Sequence, residues 1–317
     1  MRKKYTLLLL LILICTACSS PAPTPTTPAP ATSPPTAAPT VPSVAMTDRA
    51  GNPMTLPAKI ERILVMGPSN TEILVALGLA ESIIAIDSYS DNIPGLQPDI
   101  PMFSMMQPDG EQIILLEPDI IIATAMTMVG GEDPFLALKN TGICVAYIPS
   151  SESIQDIQDD ILFLGEVMGV SAKARELVTE MDREIAIIAT IGNSITEKKR
   201  VYYEIAAAPY LYSFGSGTFL HEMLEIIGAI NILAEVNSWA AITDEVVIDA
   251  NPDVILTSVN YLDDPIGEIL ARPGWEAITA VANEEVYYID NDASSRPNHH
   301  ITKALIEMAK AIYPDLY

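Results

Sequence analysis

Histidine is scarce in this 317-residue chain: His221, His299 and His300 are the only three. A bare Zn or Mn ion clamped between two halves of a protein needs three or four His, Asp or Glu ligands converging from both. Ahead of residue 221 only carboxylates are on offer, so a carrier of a free divalent ion fits poorly. Hydrolysis fares no better. Gly215-Ser216-Gly217 lacks the spacing of a nucleophile elbow, and no Ser-His-acid set stands out. The adjacent pairs Asp159-Asp160 and Asp263-Asp264 read as solvated helix ends or turns, not as paired catalytic acids. An extracytoplasmic hydrolytic enzyme therefore stands only as an alternative. Two features remain: a methionine-rich set (Met102, Met105, Met106, Met126, Met128) that lines a pocket or fills a core, and two glutamates set in a repeated context.

The repeat aligns Glu111 through Ile122 (EQIILLEPDIII) without gaps on Glu245 through Leu256 (EVVIDANPDVIL). In each copy a glutamate opens a short helix, Pro-Asp breaks it, and a buried strand follows. A weaker echo pairs Glu72 through Gly78 (EILVALG) with Glu222 through Gly228 (EMLEIIG). Two readings of Glu111 and Glu245 stay open at this level. Each either favours its own helix N-terminus or presents one equivalent charge per half to a pseudo-symmetric partner.

These residues must be carried by a regular frame. Short β-branched runs at 63–66, 83–86, 120–122 and 145–148, then at 201–203, 254–256 and 286–289, alternate with helical patterns. Continuous apolar strands interleaved with helices indicate parallel sheets covered on both faces. The fold class is α/β: two Rossmann-like lobes with parallel-type sheets, joined by a single long bridging helix. That helix is expected over 171–193, with Ser171 as N-cap and Gly192-Asn193 as stop. At about 1.5 Å per residue it would span roughly 30 Å and limit hinge opening. Pro68-Ser69-Asn70-Thr71 follows a strand and opens a helix, so its amides, with Ser69 and Asn70, should face the crevice at the strand C-terminal ends.

The first residues have a different character. Arg2, Lys3 and Lys4 precede an apolar run from Leu7 to Ile14, too short to span a bilayer, and Cys15-Thr16-Ala17-Cys18 follows. This resembles a bacterial lipoprotein signal, with Cys18 as the acylated residue, although Cys15 stands where an aliphatic is usual. The alternative is ordinary secretion. Residues 19–43 are almost wholly Pro, Thr, Ala and Ser, a composition that buries no core. The expected organisation is a signal at 1–17, a tether at 18–43, an N-terminal lobe at 44–170, the bridging helix at 171–193 and a C-terminal lobe at 194–317. Such a protein is extracytoplasmic and lipid-anchored to the cell membrane. A net charge of −24 argues against nucleic acid and against a basic membrane-binding patch. Cys144, inside Ile143-Cys144-Val145, reads as a buried small hydrophobe.

The order of parts resembles the iron-siderophore, haem and vitamin B12 class of periplasmic binding proteins. The resemblance covers about residues 45 to 317. Its clearest passages are Gly67 through Gly78, Ser88-Tyr89-Ser90-Asp91, Glu111 through Ile122, Trp239 through Glu245 and Ser295-Arg296-Pro297. It implies a monomeric solute-binding component of an ABC importer, working with a permease dimer and its ATPase. It further implies that Glu111 and Glu245 dock on the permease. Tyr89 and Trp239 match aromatic residues that pack on ligand in vitamin B12-binding members. Met105 replaces a further tryptophan, Met106 falls where haem-binding members place an axial methionine, and Arg296 matches a pocket-side arginine. The histidine of those haem-binding members is absent at Asn260; His299 and His300 are candidates to replace it or are simply a helix start. No covalent cofactor is implied, and the cargo would be a metal chelate: ferric siderophore, haem or corrinoid. With Arg296 alone as a cleft cation, a neutral or weakly charged chelate fits better than a highly anionic one.

Overall fold

A computed structural model describes residues 44–128 and 133–317. The expectations for the signal, the tether and Cys18 lie outside the described residues. The chain enters through an antiparallel hairpin, β1 (Val44–Thr47) and β2 (Pro53–Leu56). Then come β3 (Ile63–Val65), α1 (Pro68–Ala76), β4 (Ile83–Asp87), β5 (Met102–Phe103), α2 (Gly110–Leu115), β6 (Ile120–Thr124), α3 (Leu136–Asn140), β7 (Cys144–Ile148) and α4 (Ile154–Val167). The five strands β5-β4-β3-β6-β7 form one parallel sheet in that order. Strand β3 and residues Ile120 to Ala123 of β6 are fully buried aliphatic runs, as a sheet covered on both faces requires.

Helix α5 (Ser171–Gly192) leads into the second lobe. There β8 (Arg200–Glu204), β9 (Tyr212–Phe214), α6 (Phe219–Ile227), β10 (Ile230–Asn231), β11 (Trp239–Ala241), α7 (Asp244–Ala250), β12 (Val254–Thr257), α8 (Pro265–Leu270), α9 (Thr279–Ala282), β13 (Val286–Tyr288), α10 (Asn291–Ser295) and α11 (Ile301–Ile312) follow. Strands β10-β8-β12-β13 make a second parallel sheet, and β9 pairs antiparallel with β11. The fold class read from the sequence is therefore the observed one. The edge strands β5 and β10 and the β9–β11 ribbon carry no apolar run long enough to have been read.

The aligned repeat is structural. In the first lobe the Asp119 carboxylate accepts from the amides of Glu61 (2.8 Å) and Arg62 (2.9 Å), while the Arg62 side chain donates to the Leu116 and Glu117 carbonyls that close α2. In the second, Asp253 accepts from the Arg200 amide (2.8 Å) and Arg200 Nε donates to the Ala250 carbonyl (3.1 Å) that closes α7. Each Pro-Asp thus pins the start of the central strand of its lobe, and an arginine there caps the preceding helix.

Helix α5 buries Ala174, Met181 and Ile188, seven residues apart, along one stripe. Its 22 residues span about 33 Å. One contiguous core runs from Ile73 and Ile122 through Ile161, Met181 and Ile188 to Leu224 and Met308, so the helix is packed into both lobes. Ser171 is its first residue, not its N-cap; Val170 holds that place without a side-chain cap, and the Ser171 hydroxyl turns back to the Gly165 carbonyl. Both ends rest on glycine. A Cβ at Gly165 would meet Ala174 Cβ at 2.3 Å, and one at Gly192 would meet the Ile226 carbonyl oxygen at 2.1 Å. Backbone cannot yield as a flexible side chain does. Gly192→Ala is accordingly expected to destabilise the protein by about 1–3 kcal/mol, read as a lower thermal midpoint; an unchanged midpoint would mean that α5 and α6 are not locked there.

Asp160 differs from the sequence expectation of a solvated helix position. Its carboxylate is buried, 2.6 Å from Arg49 Nε and 2.9 Å from the Ser151 hydroxyl. Burial pushes its pKa up against the opposing pull of those two donors. The expectation for Cys144 agrees with its buried position, which raises the thiol to about 11.

Candidate functional site

In each sheet the strand order reverses beside the central strand, between β3 and β6 and between β8 and β12. The crevice outside the C-terminal ends of strands at such a switch point is where open α/β sheets bind ligands. At that end of the first lobe, Gly67 leaves β3 with a φ of 98° and lets Pro68 start α1. The Gly67 amide donates to the Asp87 carboxylate at 2.8 Å. Asp87, wholly buried at the end of β4, also accepts from the Tyr89 amide (2.8 Å) and the Ser90 hydroxyl (2.6 Å). One carboxylate therefore holds both the start of α1, where Ser69 lies, and the loop that carries Tyr89.

The space between the lobes is a cavity of about 290 Å³ continuous with an open groove of about 700 Å³, the two sharing Pro68, Ser69, Met105, Met126 and Ser295. Asn70 and Trp239 line the inner cavity, whereas Tyr89, Met106 and Arg296 line the groove. All seven ligand-site candidates from the sequence thus meet in one cleft. Their availability differs. The Asn70 amide is committed to the Met66 carbonyl at 3.1 Å. Tyr89 is 59 % exposed, and Trp239, 40 % exposed, stands edge-on against Phe214 and Phe219. Its position comes from pairing with Phe214 across β11 and β9. Of the methionine set, Met105, Met106 and Met126 reach the cleft.

The electrostatics of the cleft are set by one group. Arg296 is the only cation among the described residues lining it. Its Nη1 donates to Glu72 at 2.6 Å and its Nη2 lies 2.8 Å from the Asp292 carboxylate in an ion pair, so two carboxylates offset its charge. Asp91 and Asp292 line the groove as well. Glu72 was met in the sequence only as part of a weak echo, and Asn92 and Asp292 were not singled out, because their roles in the site arise only from cross-lobe proximity. His299 and His300 stack on each other at 4.0 Å just before α11 and do not line the cleft. Burial pushes His299 down to about 4, leaving it a neutral imidazole. Among the described residues no group of three or more His, Cys, Asp or Glu side chains is placed to hold a metal ion.

Residues 63–293 match the family model described as Periplasmic binding protein. The chain belongs to that family. An uncharacterized ABC transporter substrate-binding lipoprotein of Bacillus subtilis is 30% identical to this binding protein over 276 residues, 86% of this chain and 87% of that one. A cobalamin-binding protein of Halobacterium salinarum is 25% identical, covering 84% of this chain and 73% of its own length. The crystal structure of a possible iron-binding (periplasmic solute-binding) protein from Staphylococcus epidermidis superposes with a TM-score of 0.72 at 30% identity, covering 80% of this chain and 99% of that one. This binding protein is the extracytoplasmic substrate-binding component of an ABC transporter, not an enzyme.

A larger groove of about 740 Å³ lies at the other end of the second sheet, lined by Lys199, Asp253 and Glu285, which precede β8, β12 and β13. It sits at strand N-terminal ends, opposite the crevice.

Glu111 and Glu245 occupy equivalent places in the first turns of α2 and α7. Each helix feeds a strand of a parallel sheet and so runs back along it, which puts its first turn at the crevice end. Cleft-lining residues precede both: Met105 and Met106 before α2, Trp239 before α7. Asp109 already caps α2, accepting from the Glu111 and Gln112 amides, so the Glu111 carboxylate is not needed there. The Glu245 carboxyl is held below its ordinary range by the Thr243 hydroxyl and its own backbone amide.

Proposed function

We propose that this binding protein captures a neutral or weakly charged metal chelate, a cobalamin-type corrinoid, between its lobes and delivers it to an ABC permease dimer served by its ATPase. The observation that carries the reading is the cleft's composition: an aromatic and thioether lining (Trp239, Tyr89, Met105, Met106, Met126) around an arginine already offset by Glu72 and Asp292. Flat apolar surface suits a macrocycle, and polyanionic ferric siderophores would meet Asp91 and Asp292 without a spare cation. The cobalamin-binding relative supports the same reading. Haem is the second reading, favoured by Met106 at the groove; a Met-His axial pair would need an imidazole that the cleft-lining residues do not supply.

The docking surface belongs to the same proposal. Glu111 and Glu245 each stand three residues before an isoleucine, Ile114 and Ile248, that is about two-fifths exposed at 43% and 38%. Charge flanked by aliphatic surface, repeated once per lobe, suits a pseudo-symmetric partner. An acyl anchor at Cys18 and a tether over 18–43 would hold this monomer beside that permease.

Two measurements address the ligand. In a thermal-shift screen, cyanocobalamin and cobinamide should raise the midpoint, a ligand at one hundred times Kd adding about 2.7 kcal/mol. A shift with haemin or an anionic ferric siderophore alone would overturn the corrinoid reading. In the second, Trp239→Ala is expected to weaken cyanocobalamin binding by about 1–3 kcal/mol in titration calorimetry. Unchanged affinity would take Trp239 out of the site.

A further inference from the structure

We propose that Glu72 and Glu222 are positioning residues that fix the width of the ligand cleft by latching each lobe to the other. Glu72 lies in α1, which leaves the first sheet strand of the N-terminal lobe. Glu222 lies in α6, the corresponding helix of the C-terminal lobe. Both carboxylates cross the gap. Glu72 Oε1 accepts from Arg296 Nη1 at 2.6 Å and Oε2 from the Asn298 amide, on the segment that leads into α11. Glu222 Oε2 accepts from the Ile154 amide at 2.8 Å, the first residue of α4.

The targets correspond as the glutamates do. Helix α4 follows the last sheet strand of the N-terminal lobe, β7, and α11 follows the last of the C-terminal lobe, β13, after the short α10. Each lobe therefore extends a carboxylate to the helix that closes the other, and the sequence echo EILVALG/EMLEIIG is the trace of that reciprocity. Burial makes the first latch strong: Asn298 is inaccessible and Glu72 is 9 % exposed. A hydrogen-bonded charge in such a site is held far more firmly than one at the surface. Asn92 and Asp292 add a neighbouring cross-lobe contact at 3.1 Å, and Arg296 Nη2 reaches Asn92 at 3.2 Å. Arg296, Asn92 and Asp292 line the groove itself, so the latch is also one wall of the site. Helix α5 connects the lobes, and the two carboxylates fix the gap in front of it.

The proposal rests on ligand lying between the lobes, but its test needs no ligand. Spin labels on ketone-bearing amino acids replacing Met102 and Tyr210, exposed residues of opposite lobes outside the cleft, would report the lobe separation by pulsed electron paramagnetic resonance on the full ligand-free chain. Glu72→Gln with Glu222→Gln should at least double the width of the distance distribution, each single variant should give part of that change, and Glu72→Asp should restore much of it. If the competent spacing falls to about a tenth of the population, the apparent Kd for cyanocobalamin rises about tenfold. Should the double variant not fold, the single variants and Asn298→Ala carry the same measurement. A distribution as narrow as that of the unchanged protein in these variants would overturn the latch. Failure of the unchanged protein to bind cyanocobalamin would instead count against the corrinoid reading and leave the distances standing.

Discussion

Replacing Glu111 and Glu245 together with alanine is expected to leave cyanocobalamin affinity unchanged and to reduce uptake by the reconstituted importer to background. Both residues lie outside the set that lines the cleft, so ligand capture has no reason to respond. Each exposed ion pair contributes little affinity, about 0–1 kcal/mol. Their value lies in orientation and encounter: complementary charge raises association rates by about ten- to a thousandfold, and salt screens the effect. Productive transfer needs both lobes seated at once, so either single variant should retain partial transport. Association with the permease should slow as salt rises for the unchanged protein and become nearly salt-independent for the double variant. Uptake at the normal rate by that variant would refute the docking role and leave the two carboxylates with only their helix starts to serve.

The sequence made the frame of this site readable and much of its chemistry unreadable. Buried parallel strands announce themselves as β-branched runs such as Ile120-Ile121-Ile122, and the loops after them follow from topology. That is why Ser69 could be assigned to the crevice from topology, whereas Tyr89 and Arg296 were placed there by resemblance to the family. Their electrostatic state could not. Arg296 is offset by Glu72, 224 residues away in the chain, and only the fold reveals the pairing. Asp87 ends an apolar strand with nothing to mark it as the wholly buried acceptor for Gly67, Tyr89 and Ser90. Asp160 looked solvated because it follows another aspartate, yet the turn after β1 brings Arg49 across to it. Trp239 was found by resemblance, but the ribbon that aims it was invisible: β9 and β11 have three residues each.

The largest effect on stability is expected at Arg272, far from any motif. Its guanidinium pairs with the buried Glu204 carboxylate at 2.7 and 3.1 Å, reaches Glu268 as well, and stacks 4.2 Å over the ring of Trp275. Arg272→Met fills similar space but leaves Glu204 charged in the core without its ionic partner, which costs about 3–5 kcal/mol. For a body of this size the melting midpoint should fall by roughly 10 °C. Burial already raises the Glu204 pKa, and losing Arg272 removes the main group opposing that shift. A carboxyl whose folded pKa lies above its unfolded one binds the proton more tightly in the native state. The penalty therefore develops as pH rises from the unfolded toward the folded value and is absent below both. The gap in midpoint between variant and unchanged protein should be wide at alkaline pH and narrow in acid, and Glu204→Leu added to Arg272→Met should recover much of it. The loss should also reach transport, because the Trp275 indole under Arg272 donates to Asp244 at 2.8 Å, and Asp244 begins the helix that presents Glu245. A midpoint gap that stays constant across pH would mean that Glu204 is not the group left exposed to the missing charge.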